Sequence, residues 1–351
     1  MNPRQYAGAM PVDSIERVAL GNTGLVVTRL GFGSASIGGL FTDVADDDAI
    51  AAVHHAWDLG VRYFDTAPLY GYGASERRLG AALRDRPRDT FVLSTKVGRL
   101  VRDDAAIPGD ADIDHQRLDG VDDAFYVRRQ AVRLVFDYSA DGVRRSLEES
   151  LERLGLDRID IAFIHDPDEH WPAAISEAWP ALERLRSEGL IRAVGAGMNQ
   201  SAMLTRFARE TDMDVLLVAN RYTLLDQEAL GELLPVCVER GIAVLVGGVM
   251  NSGVLADPRP GSRFDYAPAP PGILERARRL GEVCARHGVP LRAAAMQFPL
   301  AHPAVVSLVA GVRTPAHLDD YPAMLAHAIP PELWAELRAE GLLAADAPVP
   351  D

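Results

Sequence analysis

Residues 61–80 read VRYFDTAPLYGYGASERRLG, and this stretch is one unit of the pattern that organises the whole chain. The apolar run 61–64 ends in Asp65, Pro68 lies in a turn-like segment before Tyr70, and Ser75 and Glu76 open a helix-forming sequence, where a serine cap and an early carboxylate are favourable. A strand, a loop and a helix start therefore follow one another. An acid and a phenol both lie just past the end of the strand, which is where α/β proteins carry their chemistry.

The same alternation extends on either side. Residues 30–33 read as a strand and 46–59 as a helix; after the strand 61–65 and the helix 75–84 comes the strand 91–96. Past residue 138 the order is helix 139–154, strand 159–164, helix 172–188, strand 191–195, helix 201–211, strand 215–218, helix 227–240, strand 242–246, helix 271–287, strand 305–309 and helix 315–327. The strands are short and apolar on both faces, as in DIAFI (160–164) and AVLV (243–246), which suits a parallel sheet covered by helices. Eight strand–helix units predict a closed (β/α)8, or TIM, barrel. The rival, an open doubly wound sheet, would carry G-x-G-x-x-G after its first strand, and Gly31, Gly33, Gly38 and Gly39 lack that spacing. Because such barrels commonly run past the usual domain length, residues 1–351 are expected to form a single domain.

Three segments stand outside the alternation. VALGNTGLVVT (18–28) sets two β-rich runs around an Asn-containing turn and predicts a hairpin that caps the fold. Residues 98–138, rich in Asp and carrying Pro108, Gly109 and Gly120, form a long loop after the third strand and are expected to be a substrate-side lid. The tail 344–351 reads as disordered or lightly docked.

Composition narrows the partners. With 36 basic against 50 acidic residues the net charge is −14, which repels a nucleic-acid backbone or an anionic membrane surface. No stretch has the apolar length of a membrane span and the start lacks a secretory apolar region, so a cytoplasmic protein is expected. Cys237 and Cys284 each sit in a helix-like segment and read as buried small hydrophobes. The composition says nothing about oligomeric state.

Asp65, Lys96 and His165 each close a strand, and Tyr70 lies just past the first of these. A barrel would bring all four to one opening. A lysine cation beside Tyr70 would favour the phenolate and lower the tyrosine pKa, with Asp65 keeping the lysine charged. His165 would offer a directional hydrogen bond to a carbonyl or hydroxyl oxygen. That set suits hydride transfer, in which the protein handles one proton and a nicotinamide handles the hydride. HDPDEH (165–170) also invites a metal reading, but it would leave Asp65, Tyr70 and Lys96 unexplained and no second histidine cluster closes another strand, so no metal is expected.

DTAPLYGYGASERRLG, LSTKVG and FIHDPDEH resemble the aldo-keto reductase family, whose catalytic Asp, Tyr, Lys and His match Asp65, Tyr70, Lys96 and His165. RSLEESLERLGLDRIDIAFIHDPD, GAGMNQ, RYTLLDQ, NSGVL and RAAAMQFPLAHP look like the branch containing L-fucose and D-threo-aldose 1-dehydrogenases, L-galactose dehydrogenase and pyridoxal 4-dehydrogenase. The resemblance implies NAD(P)-dependent oxidation of an aldose such as L-fucose, L-galactose or D-arabinose at C1 to its lactone. A pyridoxal or general aldehyde oxidoreductase is the rival within enzymes, and a nicotinamide-nucleotide-sensing binding subunit is the rival outside them.

The resemblance also implies that the dinucleotide lies along GGVMNSGVL (247–255) and AGVRTPAHLDDY (310–321), the second opening a helix whose N-terminus favours phosphate. It points to Gly248, Met250, Asn251, Gly253 and Leu255 from the first, and to Gly311, Arg313, Thr314, His317 and Asp320 from the second. Where relatives hold the carboxamide with Ser-Asn this chain has Gly197-Met198, so Asn199 is the candidate. The stacking tyrosine is replaced by Gly247 or Gly248, and the Glu-Asn near the adenine by Asp320-Tyr321. Members that prefer NADP carry Lys and Arg where Gly311 and His317 stand, which favours NAD here, with Arg313 the nearby cation for a phosphate. Tyr126, Phe136 and Trp171 are the candidate substrate contacts.

Overall fold

A computed structural model describes residues 15–116, 125–127 and 131–350. The chain opens with the antiparallel strands β1 (Arg17–Ala19) and β2 (Val26–Thr28) and enters the barrel at β3 (Leu30–Gly33). Then follow α1 (Asp46–Asp58), β4 (Tyr63–Asp65), α2 (Ala74–Leu83) and β5 (Val92–Val97). Three strands outside the barrel, β6 (Arg99–Asp103), β7 (Ile113–Asp114) and β8 (Val132–Phe136), precede α3 (Ala140–Leu154). The barrel resumes with β9 (Ile161–His165), β10 (Ala193–Met198), β11 (Val215–Ala219) and β12 (Ala243–Gly247). A small hairpin, β13 (Arg263–Phe264) and β14 (Ala267–Pro268), comes before the last barrel strand, β15 (Val305–Gly311).

β3-β4-β5-β9-β10-β11-β12-β15 close in that order, each parallel to its neighbours. Alternation along each strand divides the core in two. Tyr63, Val92, Ile161, Phe163, Val215, Leu217 and Leu245 fill the barrel, and the hairpin residues Leu20, Leu25 and Val27 join them as a plug. The residues between them, such as Phe64, Leu93, Ala162, Leu216 and Val244, belong to the layer under the helices. Close approach dictates some glycines: a Cβ on Gly195 would lie 1.8 Å from the Val215 carbonyl oxygen.

The barrel and the hairpin cap match the sequence expectation; three local features differ. Residues 98–138 are not all loop, because β6 and β7 pair antiparallel with β8. Residues 117–124 and 128–130 of that segment lie outside the described residues. The helix expected at 315–327 is a 3-10 turn, Pro315–His317, and a short helix, Tyr321–Leu325. Two helices, Leu291–Leu300 and Pro331–Ala339, were not expected; Pro290 and Pro330 only precede the first turn, where proline is tolerated. The tail takes the docked one of its two expected alternatives: Ala344 N donates to Gln227 Oε1 at 2.8 Å, and Ala347 is buried and accepts from Arg338 at 2.7 Å.

Cys237 and Cys284 are buried, as expected, and burial pushes both thiols up to about 12. No helix among the described residues is long and apolar enough to cross a membrane.

Candidate active site

Asp65 ends β4, Lys96 is the penultimate residue of β5 and His165 ends β9, so three neighbouring strands deliver them to one mouth of the barrel. Lys96 Nζ donates to Asp65 Oδ2 at 2.6 Å and to the Thr66 carbonyl at 3.0 Å. Ser94 Oγ, one pleat earlier, donates to Asp65 Oδ1 at 2.7 Å. The pair is almost fully enclosed, with side-chain exposures of 1% for Lys96 and 3% for Asp65.

Tyr70 comes from the loop after β4. Residues 71–73 take φ of 65°, 54° and 80°, a left-handed run that turns the chain into α2 and explains the glycines on either side of Tyr72. A Cβ on Gly71 would lie 2.0 Å from the Gly38 carbonyl oxygen, so the loop is held against the segment after β3. The Tyr70 ring receives Lys96 Nζ over its face at 4.6 Å, His165 edge-on at 5.8 Å between centroids, and Tyr126 stacked at 6.0 Å. The four residues singled out by sequence are thus together.

Their electrostatics differ from the expectation in one respect. Tyr70 is raised well above the usual phenol value, first by burial and next by the Asp65 carboxylate, whereas the sequence reading had it lowered by Lys96. The lysine charge is partly offset by Asp65 at contact distance, so its pull on the phenol does not overcome burial, which leads the rise. By itself the protein holds Tyr70 as a neutral proton donor. His165 is held well below the usual imidazole range by burial, with the Arg99 and Lys96 cations adding to it, so it is neutral.

Ser75 and Glu76 also have other work than capping. The N-cap of α2 is Gly73, without a side-chain cap. Ser75 Oγ hydrogen-bonds Ser34 and Thr66, and the fully buried Glu76 accepts from Thr95 Oγ1 at 2.9 Å and from Arg153 Nε at 2.5 Å. These contacts tie the Tyr70 loop to the strand that carries Lys96.

Several residues that sequence reasoning missed hold His165. Its carbonyl accepts from Arg99 Nη1 at 2.7 Å and from Tyr138 Oη at 2.6 Å. Arg99 Nε is paired with Asp114 Oδ2 at 2.6 Å, and its guanidinium lies 4.8 Å over the Phe136 ring. The sheet β6-β8-β7 is therefore anchored to the end of β9. The available signal was an arginine two residues past the end of a barrel strand.

The candidate cofactor residues divide into two groups. Beyond β10, β11 and β12, Asn199 Oδ1 accepts from Asn220 Nδ2 at 3.3 Å and from Tyr266 Oη at 3.1 Å. Gly248 has φ 66°, and a Cβ there would lie 2.2 Å from Asn220 Oδ1. Asn251 is buried, donates to the Asn220 carbonyl at 3.3 Å and leaves its own amide oxygen without a hydrogen bond. Met250 is half-buried and Gly253, at φ 108°, bridges to Arg263. Leu255 is fully buried in the core under the helices, so it supports this loop from beneath and does not face a ligand. At the end of β15 Gly311 is exposed, and beyond it Thr314 precedes a single 3-10 turn, which has no helix dipole of the kind expected for phosphate. Arg313 donates to the Leu40 carbonyl at 3.0 Å while its buried Nε has no partner, and its backbone N–H donates to His317 Nδ1 at 3.3 Å. Asp320 is engaged by Arg292 through both carboxylate oxygens. Unpaired polar atoms on Asn251 and Arg313 beside close-approach glycines fit a polar, extended ligand such as a dinucleotide.

Of the candidate substrate contacts, Tyr126 stacks on Tyr70 and Phe136 lies 4.5 Å from the His170 ring. Trp171 packs on Phe207 at 4.6 Å beneath Arg206, against the helix layer. Phe41 and Tyr266 add to the lid aromatics an aromatic rim: Phe41, Phe125 and Tyr266 pack on one another, and Arg263 lies 4.2 Å over Phe41. In HDPDEH, His170 Nε2 pairs with Asp112 at 2.7 Å and Asp168 accepts from Gln200, so these residues are engaged separately.

A model of the aldo/keto reductase family matches residues 29–340. This chain belongs to that family. It is 44% identical over 325 residues to a D-threo-aldose 1-dehydrogenase of a Pseudomonas species, covering 91% of this chain and 96% of that one. It is 42% identical over 351 residues to a pyridoxal 4-dehydrogenase of Microbacterium luteolum, covering 95% and 100%. Among solved structures, an aldo-keto reductase from Bacillus halodurans in its holo form superposes with a TM-score of 0.70 at 23% identity, over 95% of this chain and 98% of that one, a likeness of fold. The protein is an NAD(P)-dependent oxidoreductase of this family.

Proposed function

We propose that this aldo-keto reductase oxidises an aldose of the L-fucose, L-galactose or D-arabinose type at C1, giving the lactone. The observation that carries the reading is the constellation at the barrel mouth: Lys96 between Asp65 and the Tyr70 ring, with neutral His165 edge-on to that ring. Tyr70 exchanges the proton of the reacting oxygen. His165 orients that oxygen through Nε2–H, because its Nδ1 is buried and has no acceptor to which it could donate. A bound nicotinamide supplies the hydride acceptor. In the oxidative direction the phenol must first release its proton, and Lys96 over the ring is the protein group that favours this; in the reductive direction the neutral phenol is already the donor.

Tyr70→Phe removes only the exchangeable proton. It should lower turnover by about a hundredfold or more while leaving dinucleotide binding, read by nicotinamide fluorescence, intact. Near-wild-type turnover in that variant refutes the mechanism. The substrate class is supported by the similarity to a D-threo-aldose 1-dehydrogenase. The aromatic rim and the similarity to a pyridoxal 4-dehydrogenase favour a second reading, a flat pyridine aldehyde or its hemiacetal. For the cofactor we infer NAD over NADP, since Gly311 and His317 occupy the positions of the phosphate-pairing cations and Arg313 is drawn to the Leu40 carbonyl.

A further inference from the structure

Asp166, the residue after His165, has no part in the proton transfer described above, yet its setting is that of a site group. It sits at φ 41°, a left-handed conformation that aspartate tolerates better than most residues. The backbone is held there from two sides: Asp166 N donates to the Gly197 carbonyl at 3.1 Å, and the Asp166 carbonyl accepts from Tyr138 Oη at 3.1 Å. The kink sends the carboxylate back over its neighbour, with Oδ2 3.4 Å from His165 Nε2, the nitrogen assigned to the reacting oxygen.

That carboxylate has nothing else to do. Among the described residues His165 Nε2 is its one close polar contact, and a fifth of the side chain remains open. The nearest cations are committed elsewhere: Arg99 to Asp114 and the His165 carbonyl, Lys96 to Asp65 and Thr66. Its charge raises the phenols of Tyr70, Tyr126, Tyr138 and Tyr266, so all four lie within its electrostatic reach. Burial pushes its own pKa up to about 6, with Asp168 and Asp114 adding to the rise and Arg99 and Lys96 opposing it. An ionised, under-used acceptor in an apolar ring of phenols is costly unless a donor arrives with the ligand.

We propose that Asp166 is a specificity-determining residue that accepts a hydrogen bond from a hydroxyl on the carbon next to the one that exchanges hydride, so that the site selects 2-hydroxy aldehydes and aldoses over their 2-deoxy counterparts. The spacing follows from the geometry. His165 Nε2 holds the oxygen on the reacting carbon, Asp166 Oδ2 lies 3.4 Å from that nitrogen, and oxygens on adjacent carbons of a diol are separated by a similar distance. A neutral imidazole N–H and a carboxylate side by side form a donor–acceptor pair matched to a vicinal pair in which one oxygen accepts and the other donates. The inference rests on the proposed oxidoreductase reaction at this site.

The test compares kcat/KM for two substrate pairs, an aldose with its 2-deoxy analogue in the oxidative direction and glyceraldehyde with propanal in the reductive direction, in the wild type and two variants. Asp166→Gly keeps the left-handed backbone and deletes the acceptor; Asp166→Asn keeps an amide oxygen in place and loses the charge. The wild type should prefer the hydroxylated member by about 10- to 100-fold, the range for a hydrogen bond to a charged acceptor. Asp166→Gly should bring that ratio close to one and Asp166→Asn should restore part of it. A ratio unchanged in Asp166→Gly, or equal losses on both members of each pair, overturns the proposal, since a merely structural role for Asp166 lowers both alike. Failure of the underlying reading looks different: wild-type enzyme that turns over neither member of either pair, with either cofactor, removes the reaction and this inference with it.

Discussion

Asp65 and Lys96 allow stability to be separated from chemistry. Asp65→Asn leaves the Lys96 ammonium at 1% exposure without a countercharge, with only neutral oxygens, that of the new amide and the Thr66 carbonyl 3.0 Å away, to accept from it. Removing one member of a buried ion pair costs about 3–5 kcal/mol, because the remaining charge keeps its desolvation cost without its compensation. With a urea m-value of about 3 kcal/mol/M, the midpoint of urea unfolding should fall by about 1 M or more. Combining it with Lys96→Met replaces the stranded charge by an apolar chain of similar length against the Tyr70 ring. The double variant should then recover most of the lost midpoint, since the new amide at position 65 still meets Ser94 and no buried charge remains. Its turnover should nevertheless stay at least about a hundredfold below wild type, because the phenol has lost the cation that favours its ionised form. The assays are urea titration by tryptophan fluorescence and nicotinamide absorbance at 340 nm, a wavelength set by the cofactor at roughly that value for any enzyme of this type. A double variant as unstable as Asp65→Asn alone, or one that turns over like wild type, refutes the account of this pair.

Two further outcomes follow from the same geometry. Asp166 titrates near 6 because burial raises it, so the carboxylate acceptor is present above that pH and lost below it. The kcat/KM for a 2-hydroxy substrate should therefore fall as pH drops through about 6, while that for the 2-deoxy analogue should show no such limb; identical profiles for the two substrates contradict this. Michaelis constants for NAD and NADP should favour NAD by about tenfold or more, the worth of a missing charge-assisted phosphate contact. A clear preference for NADP would assign Arg313 to the phosphate instead.

The architecture was legible because it is written locally. Short strands apolar on both faces alternate with amphipathic helices, and that alternation has few packed solutions; closure into a barrel follows from the number of units. Asp65, Tyr70, Lys96 and His165 were legible for the same reason, since each lies at or just beyond a strand end and barrel geometry sends all strand ends of one polarity to one mouth. Segments whose structure comes from distant partners were not legible. Among the described residues, the strands of the 98–138 segment pair with one another across intervening chain, and the two unforeseen helices are set by packing that the local sequence does not announce.

The sharpest divide concerns what the site residues do. Residue type and position by themselves determined that an acid, a phenol, a lysine and an imidazole meet. Only the tertiary structure decided that Tyr70 is held neutral, that Ser75 and Glu76 are buried ties rather than caps, that Leu255 and Trp171 face the core, and that Asp166 turns its carboxylate toward His165. The reason is physical. A strand end is fixed by a few residues of local sequence, whereas the acidity and direction of a side chain depend on burial and on charges supplied by every element packed around it, and those elements lie far apart along the chain.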